Sequence, residues 1–150
     1  MSTKVVVCQE ELGPGLVDRV ASAVSDGKII VCPTDTLYAL VADAKNSIAM
    51  DRIYVIKGRS ITQPLPLIAA DLEQVNEQIG ALSDLGTRLA STFWPGPLTL
   101  IVQAHAVLGD QCKATDGSVA VRVPNQSFAR AVARQVGHPV TATSANCSGD

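Results

Sequence analysis

The feature that most constrains this chain is a recurrence of short apolar runs, each ending in a polar loop. Ile29-Ile30-Val31 leads into Pro33-Thr34-Asp35-Thr36, and Val5-Val6-Val7 is an earlier run of the same kind. Residues 65–69, 98–102, 119–123 and 140–143 repeat the pattern. Runs this short suit buried strands and fall well below the length of a membrane span. Helical spacing fills the gaps between them. Leu16, Val17, Val20, Ala23 and Val24 form one stripe, closed by Gly27 as a helix C-terminus prefers. Asn46 or Ser47 caps a second helix that carries Ile48, Arg52, Ile53 and Ile56 to Lys57, where Gly58 breaks it. Asp71 and Ser83 read as caps of two more helices, the latter with Leu85, Leu89 and Phe93 on its stripe. Trp94-Pro95-Gly96-Pro97 reads as a rigid turn whose Trp plugs the core. Asn125 precedes a last helix that ends near Gln135 and Gly137.

Strict strand–helix alternation would give a wholly parallel sheet. Here two helices fall in succession, and runs 98–102 and 119–123 have no clear helix between them. The expectation is one α/β domain with a twisted mixed sheet, and 150 residues fit a single domain. Apolar residues at 47% and charged ones at 17% support a packed core. A net charge of −2 argues against a broadly basic nucleic-acid binder and leaves a local basic patch open. One Trp, two Tyr and two Phe are too few for a base-stacking platform.

The N-terminus, with one Lys followed by acids, does not read as a secretory signal, so a cytoplasmic protein without membrane association is expected. Cys8, Cys32, Cys112 and Cys147 contain no C-x-x-C pair and no Cys/His cluster. No protein metal site is expected, and free thiols in a reducing cytosol are the natural reading. His105 and His138 are isolated and read as surface or satisfied core histidines.

Polar residues gather where the strands end: Thr34, Asp35 and Thr36; Lys57 and Arg59; Ser118 and Arg122; Thr143, Ser144 and Asn146. In open α/β sheets ligands settle beyond strand ends. Hydroxyls, an amide and three cations there suit a ligand with phosphates and a small polar group. Each piece also has a plain structural account. Thr34 and Asp35 can be a Pro-led turn, and Lys57 and Arg59 a solvated helix end that complements the macrodipole. No G-x-x-x-x-G-K-[ST] or G-x-G-x-x-G loop occurs. Composition and spacing stop at an α/β domain with an anion site.

The ordered set of motifs goes further. Pro33-Thr34-Asp35-Thr36-Leu37-Tyr38-Ala39-Leu40, Ile56-Lys57-Gly58-Arg59-Ser60 with Pro64-Leu65, Phe93-Trp94-Pro95-Gly96-Pro97-Leu98-Thr99, Val121-Arg122-Val123-Pro124 and Thr143-Ser144-Ala145-Asn146-Cys147-Ser148-Gly149 follow in that order. From about Ile29 onward the chain resembles the YrdC/Sua5 family, the threonylcarbamoyl-AMP synthases. The resemblance implies a YrdC/RibB-like fold over residues 1–150 with a concave, positively charged cavity. It implies joining of L-threonine, bicarbonate or CO2, and ATP into threonylcarbamoyl-adenylate with release of pyrophosphate. Mg2+ travels with the ATP. The product passes to the tRNA threonylcarbamoyl transferase complex for the t6A37 modification, and weak contact with tRNA or double-stranded RNA fits the same family.

By the same resemblance the K-x-R pair falls on Lys57 and Arg59 and the S-x-N pair on Ser144 and Asn146, as catalytic and ATP-binding residues. Thr36, Arg122 and Ala142 fall on the threonine site, with Arg122 on the substrate carboxylate. Gln63 and Ser118 fall on the ATP site. There are departures. Gln63 stands where relatives commonly carry Lys, Ile68 where some carry a polar residue, and Ala39 where Gly is usual. Relatives also continue past the S-x-N motif, whereas this sequence stops at Asp150, so a complete domain and a C-terminal truncation are both open. Two alternatives remain beside the synthase: a carbamoyl-adenylate-forming domain of the same type, and a non-catalytic RNA- or nucleotide-binding module.

Overall fold

A computed structural model describes residues 14–105, 108–125 and 127–147. The run Val5-Val6-Val7 lies outside them. The chain order is α1 (Pro14–Ser25), β1 (Ile30–Pro33), β2 (Tyr38–Asp43), α2 (Ser47–Lys57), β3 (Leu67–Ile68) and α3 (Leu72–Gln78). Then come α4 (Asp84–Phe93), β4 (Leu100–Gln103), a 3-10 turn (Asp110–Cys112), β5 (Ser118–Arg122), α5 (Phe128–Val136) and β6 (Val140–Ser144). Among the described residues no helix is long and apolar enough to cross a membrane.

Local chemistry sets most of these boundaries. Asn46 caps α2, its side chain accepting from Ala49 N at 3.0 Å. Gly58 ends the helix in the left-handed region at φ 60, a conformation that costs glycine nothing. Asp71 accepts from Gln74 N at 2.8 Å and Ser83 from Gly86 N at 3.1 Å, so both predicted caps are in place. The cap of α5, two residues after Asn125, is Ser127, whose hydroxyl accepts from Arg130 N at 3.1 Å. The backbone N–H of Asn125 is held instead by Asp35 Oδ2 at 2.9 Å.

Two strands differ from expectation. β2 did not stand out in the sequence because four of its six residues are buried in succession and two of those are alanines of low strand propensity. β3 is two residues long rather than five. Pro64 and Pro66 upstream have no N–H to give a ladder. α4 also departs: Leu85 and Phe93 are 63% and 52% exposed, and Ala90 is its buried residue.

The strands form one sheet in the order β1-β2-β6-β3-β5-β4. β3 and β5 are parallel and the other neighbours antiparallel, the mixed sheet expected. One face buries Leu40, Leu67, Val119 and Val121 against Met50, Ile53 and Tyr54 of α2 and Val75 of α3. The opposite face buries Val41, Ile68 and Val140 against Val24 of α1 and Phe128, Ala129 and Val132 of α5. That second face is only half covered. Ser118, Ala120, Arg122, Ala142 and Ser144 alternate onto it and remain partly exposed.

A polar bridge secures α5 to this face. The buried Gln74 side chain accepts from Ala70 N at 2.9 Å and donates to Ala133 O at 3.0 Å. Arg130 Nε donates to Ala70 O at 2.7 Å. Gln74→Met keeps the volume and leaves the buried Ala70 N–H without its partner, while Ala133 O keeps the bond from Gly137 N at 3.1 Å. The expected loss of unfolding free energy is about 1–3 kcal/mol, the cost of one orphaned buried N–H. Urea titration measures it, and a loss below about 0.5 kcal/mol would show that the bridge carries no strain-free hydrogen bond.

Candidate functional site

The register decides which side chains meet on the open half-face. Leu67 pairs with Val121 of β5 on one side and Thr141 of β6 on the other. Counting along the strands, Ser118 and Ser144 therefore reach the same end of the sheet, two strand spacings or roughly 10 Å apart. Ala39 lies opposite Ser144 and Val41 opposite Ala142. Ala39 and Ala142 are small, so the surface beside them is recessed. Thr34, Thr36, Tyr38, Arg122, Ala142 and Ser144 bound a small solvent-open hollow there.

The β1–β2 loop forms its wall. Thr34 Oγ1 accepts from the backbone N–H groups of Thr36 and Leu37 at 3.1 and 3.2 Å and donates to Leu37 O at 2.7 Å. This turn sets Asp35 and Thr36 toward Arg122 at the far end of β5. Arg122 Nη1 stands 3.0 Å from Asp35 Oδ1, and Nη2 donates to Thr36 Oγ1 at 3.4 Å. Sequence reasoning placed Thr36 and Arg122 here and passed over Asp35 as a turn residue. Its only sequence signal is a carboxylate beside the threonine.

A second cluster gathers where α2 ends. Lys57 is 5% exposed. Its ammonium donates to Ser144 O at 2.6 Å, Asn146 O at 2.7 Å and Asn146 Oδ1 at 3.5 Å. Ser144 Oγ donates to the same Asn146 Oδ1. Burial lowers the Lys57 pKa, the neighbouring Arg59 charge lowers it further, and Cys147 opposes them. Arg59 donates from Nη1 to Thr143 Oγ1 at 3.3 Å and from Nη2 to Pro64 O at 3.0 Å. Its Nε is buried with no hydrogen-bond partner among the described residues.

Ser144 joins the two clusters, with its carbonyl on Lys57 and its side chain at the hollow. Thr36, Arg122, Ala142 and Ser144 thus meet at one place, and Lys57, Arg59, Ser144 and Asn146 at the next. Gln63 is exposed, and its carbonyl accepts from Tyr54 Oη at 2.9 Å. Ser118 Oγ donates to Asp116 Oδ1 at 2.6 Å. Among the described residues no contact ties either side chain to the two clusters.

Chemically, the arrangement offers a guanidinium, paired with Asp35 and with hydroxyls around it, and next to it two cations whose partners are uncharged oxygens. That combination is suited to a small amino acid beside a phosphorylated compound. It belongs to a known class. Residues 22–150 match the Sua5_yciO_yrdC family model, described as telomere recombination, and the chain is a member of that family. Within it, a threonylcarbamoyl-AMP synthase of Bacillus subtilis (strain 168) is 36% identical over 132 residues, 87% of this chain and 38% of the relative. The structure of P. abyssi Sua5 complexed with L-threonine superposes with a TM-score of 0.85 at 34% identity, covering 94% of this chain and 42% of that one. E. coli YciO gives a TM-score of 0.80 at 26% identity, covering 91% and 66%. The chain therefore spans about two fifths of the first two relatives.

The Lys57 contacts make the 144–146 loop depend on a residue about ninety positions earlier. Lys57→Met retains the aliphatic stem and removes three donors. Ala145 N–H, bonded to Tyr38 O at 2.9 Å, reports on the loop. Its hydrogen exchange is expected to accelerate about 10- to 100-fold, for a loss of about 1.5–3 kcal/mol in charged hydrogen bonds. An unchanged Ala145 rate would mean that the loop holds without the ammonium.

Proposed function

We propose that this chain carries the substrate-binding domain of a threonylcarbamoyl-AMP synthase, an enzyme that makes threonylcarbamoyl-adenylate for tRNA modification. The observation that carries the reading is the Arg122 guanidinium set against Thr36 at a recess floored by Ala39 and Ala142. An arginine fork takes a carboxylate in two hydrogen bonds, and the recess admits a side chain no larger than a few atoms. The P. abyssi relative bound to L-threonine supports the same substrate for this site.

In this reading threonine binds with its carboxylate on Arg122 and its hydroxyl toward Thr36. Its amine takes up bicarbonate or CO2 to give N-carboxythreonine. A carboxy oxygen then attacks the α-phosphorus of ATP, and pyrophosphate leaves. No protein nucleophile is required, so the burden is positioning and charge neutralisation. Arg59, with a buried Nε–H lacking a partner among the described residues, donates to a phosphate oxygen in this reading. Lys57 acts here by holding Ser144 and Asn146 in place and by its charge. Gln63 and Ser118 flank the nucleotide. Mg2+ belongs to the ATP. The product then goes to a tRNA-modifying transferase in the cytoplasm.

Two measurements test this. L-Threonine is expected to raise the melting temperature in the presence of ATP and bicarbonate, and serine less, because the missing methyl is worth roughly 1–3 kcal/mol. Equal shifts from threonine, serine and glycine would overturn the threonine site. Arg59→Ala is expected to lower pyrophosphate release about 10²- to 10³-fold with the fold intact by circular dichroism. Undiminished release would remove Arg59 from the chemistry.

A further inference from the structure

Asp35 has no part in the proposed chemistry, yet its carboxylate is among the most committed in the molecule. Its side chain is 14% exposed and that of Arg122 15%. One oxygen faces Arg122 Nη1 at 3.0 Å, and the other accepts from Asn125 N at 2.9 Å. Three segments distant in sequence meet on this one group: the β1–β2 loop, the end of β5 and the turn before α5. We propose that Asp35 is the positioning residue for Arg122, fixing which edge of the guanidinium meets the substrate carboxylate. The inference rests on the threonine reading of the same site.

The geometry explains why a carboxylate is wanted. A free arginine side chain samples many rotamers, and ordering it on substrate binding costs affinity. With Nη1 engaged by Asp35, the Nε–Nη2 edge is the one left for a two-point contact, and Nη2 already leans on Thr36. A neutral residue would hold the guanidinium less firmly, because the pair is charge-assisted and partly shielded from water. An asparagine has a single oxygen for two donors. It must turn its NH2 either on Arg122 or on the Asn125 N–H.

Threonine titration separates this role from a merely structural one. Asp35→Ala and Asp35→Asn are expected to weaken L-threonine about 10-fold or more, raising KM for threonine and leaving KM for ATP nearly unchanged. Asp35→Glu, which restores the charge, is expected to recover affinity to within a few-fold. On an Arg122→Ala background the Asp35→Ala change should add less than about twofold, because the partner through which it acts is gone. An equal loss in both backgrounds would show that Asp35 only staples the loop to Asn125, and would overturn the proposal. A second readout needs no substrate. In the ligand-free protein, proton exchange at Arg122 Nε–H, followed by NMR, is expected to quicken in Asp35→Asn. An unchanged rate overturns the proposal. If the wild-type chain binds no threonine, the substrate reading falls, and the Nε–H exchange alone decides whether Asp35 holds Arg122.

Discussion

Leu67 and Ile68 pair on both sides at once, parallel to β5 and antiparallel to β6, and each is buried in a different core. The layout of the sheet turns on that two-residue seam. A slip of one position would exchange the faces of every neighbouring side chain. Arg122, Ala142 and Ser144 would then point into the packed side with Met50 and Ile53. The seam is held in register by burial on both faces, and the bond from Ala142 N to Pro66 O at 2.9 Å extends it by one step. The active geometry is thus a by-product of core packing.

The same sheet face does two jobs. Its β1–β2 side is dry, covered by α1 and α5, and supplies stability. Its β6–β5 side is left open and presents Ser118, Arg122 and Ser144 to the solvent. The Gln74 bridge and the two arginines on Ala70 O fix the border between them. Small residues at that border, Ala39 and Ala142, keep the recess from filling with the protein's own side chains. Ala39 has no positive φ, so the change from the family's usual glycine brings no backbone strain at this position.

What could be seen in the sequence was local. The caps at Asn46, Asp71 and Ser83 need only three residues of context and were legible. Thr36, Arg122, Ser144 and Asn146 were visible through ordered motifs rather than through spacing. β2 was hidden because a strand buried on both faces loses its period of two. The Leu85–Leu89–Phe93 stripe had a helical period but, apart from Leu89, little cover, since periodicity reports a helix and not its neighbours. Asp35 and the Lys57 clamp were illegible for a further reason: their partners lie about ninety residues away. Only the assembled sheet brings them within hydrogen-bond reach.

The Lys57 and Arg59 cluster has a consequence for how the site behaves in solution. Among the described residues no carboxylate stands within ion-pair distance of either cation. Their partners are carbonyls and a hydroxyl, so among the described residues two positive charges stand together without a carboxylate beside them, in a chain whose net charge is −2. Each of the two charges raises the cost of the other, and after burial Arg59 is a further reason the Lys57 pKa is lowered. In the proposed reading, inorganic phosphate or sulfate competes with the nucleotide for those charges. On that reading nucleotide capture is an exchange of one anion for another, and its affinity belongs to the protein and its electrolyte together.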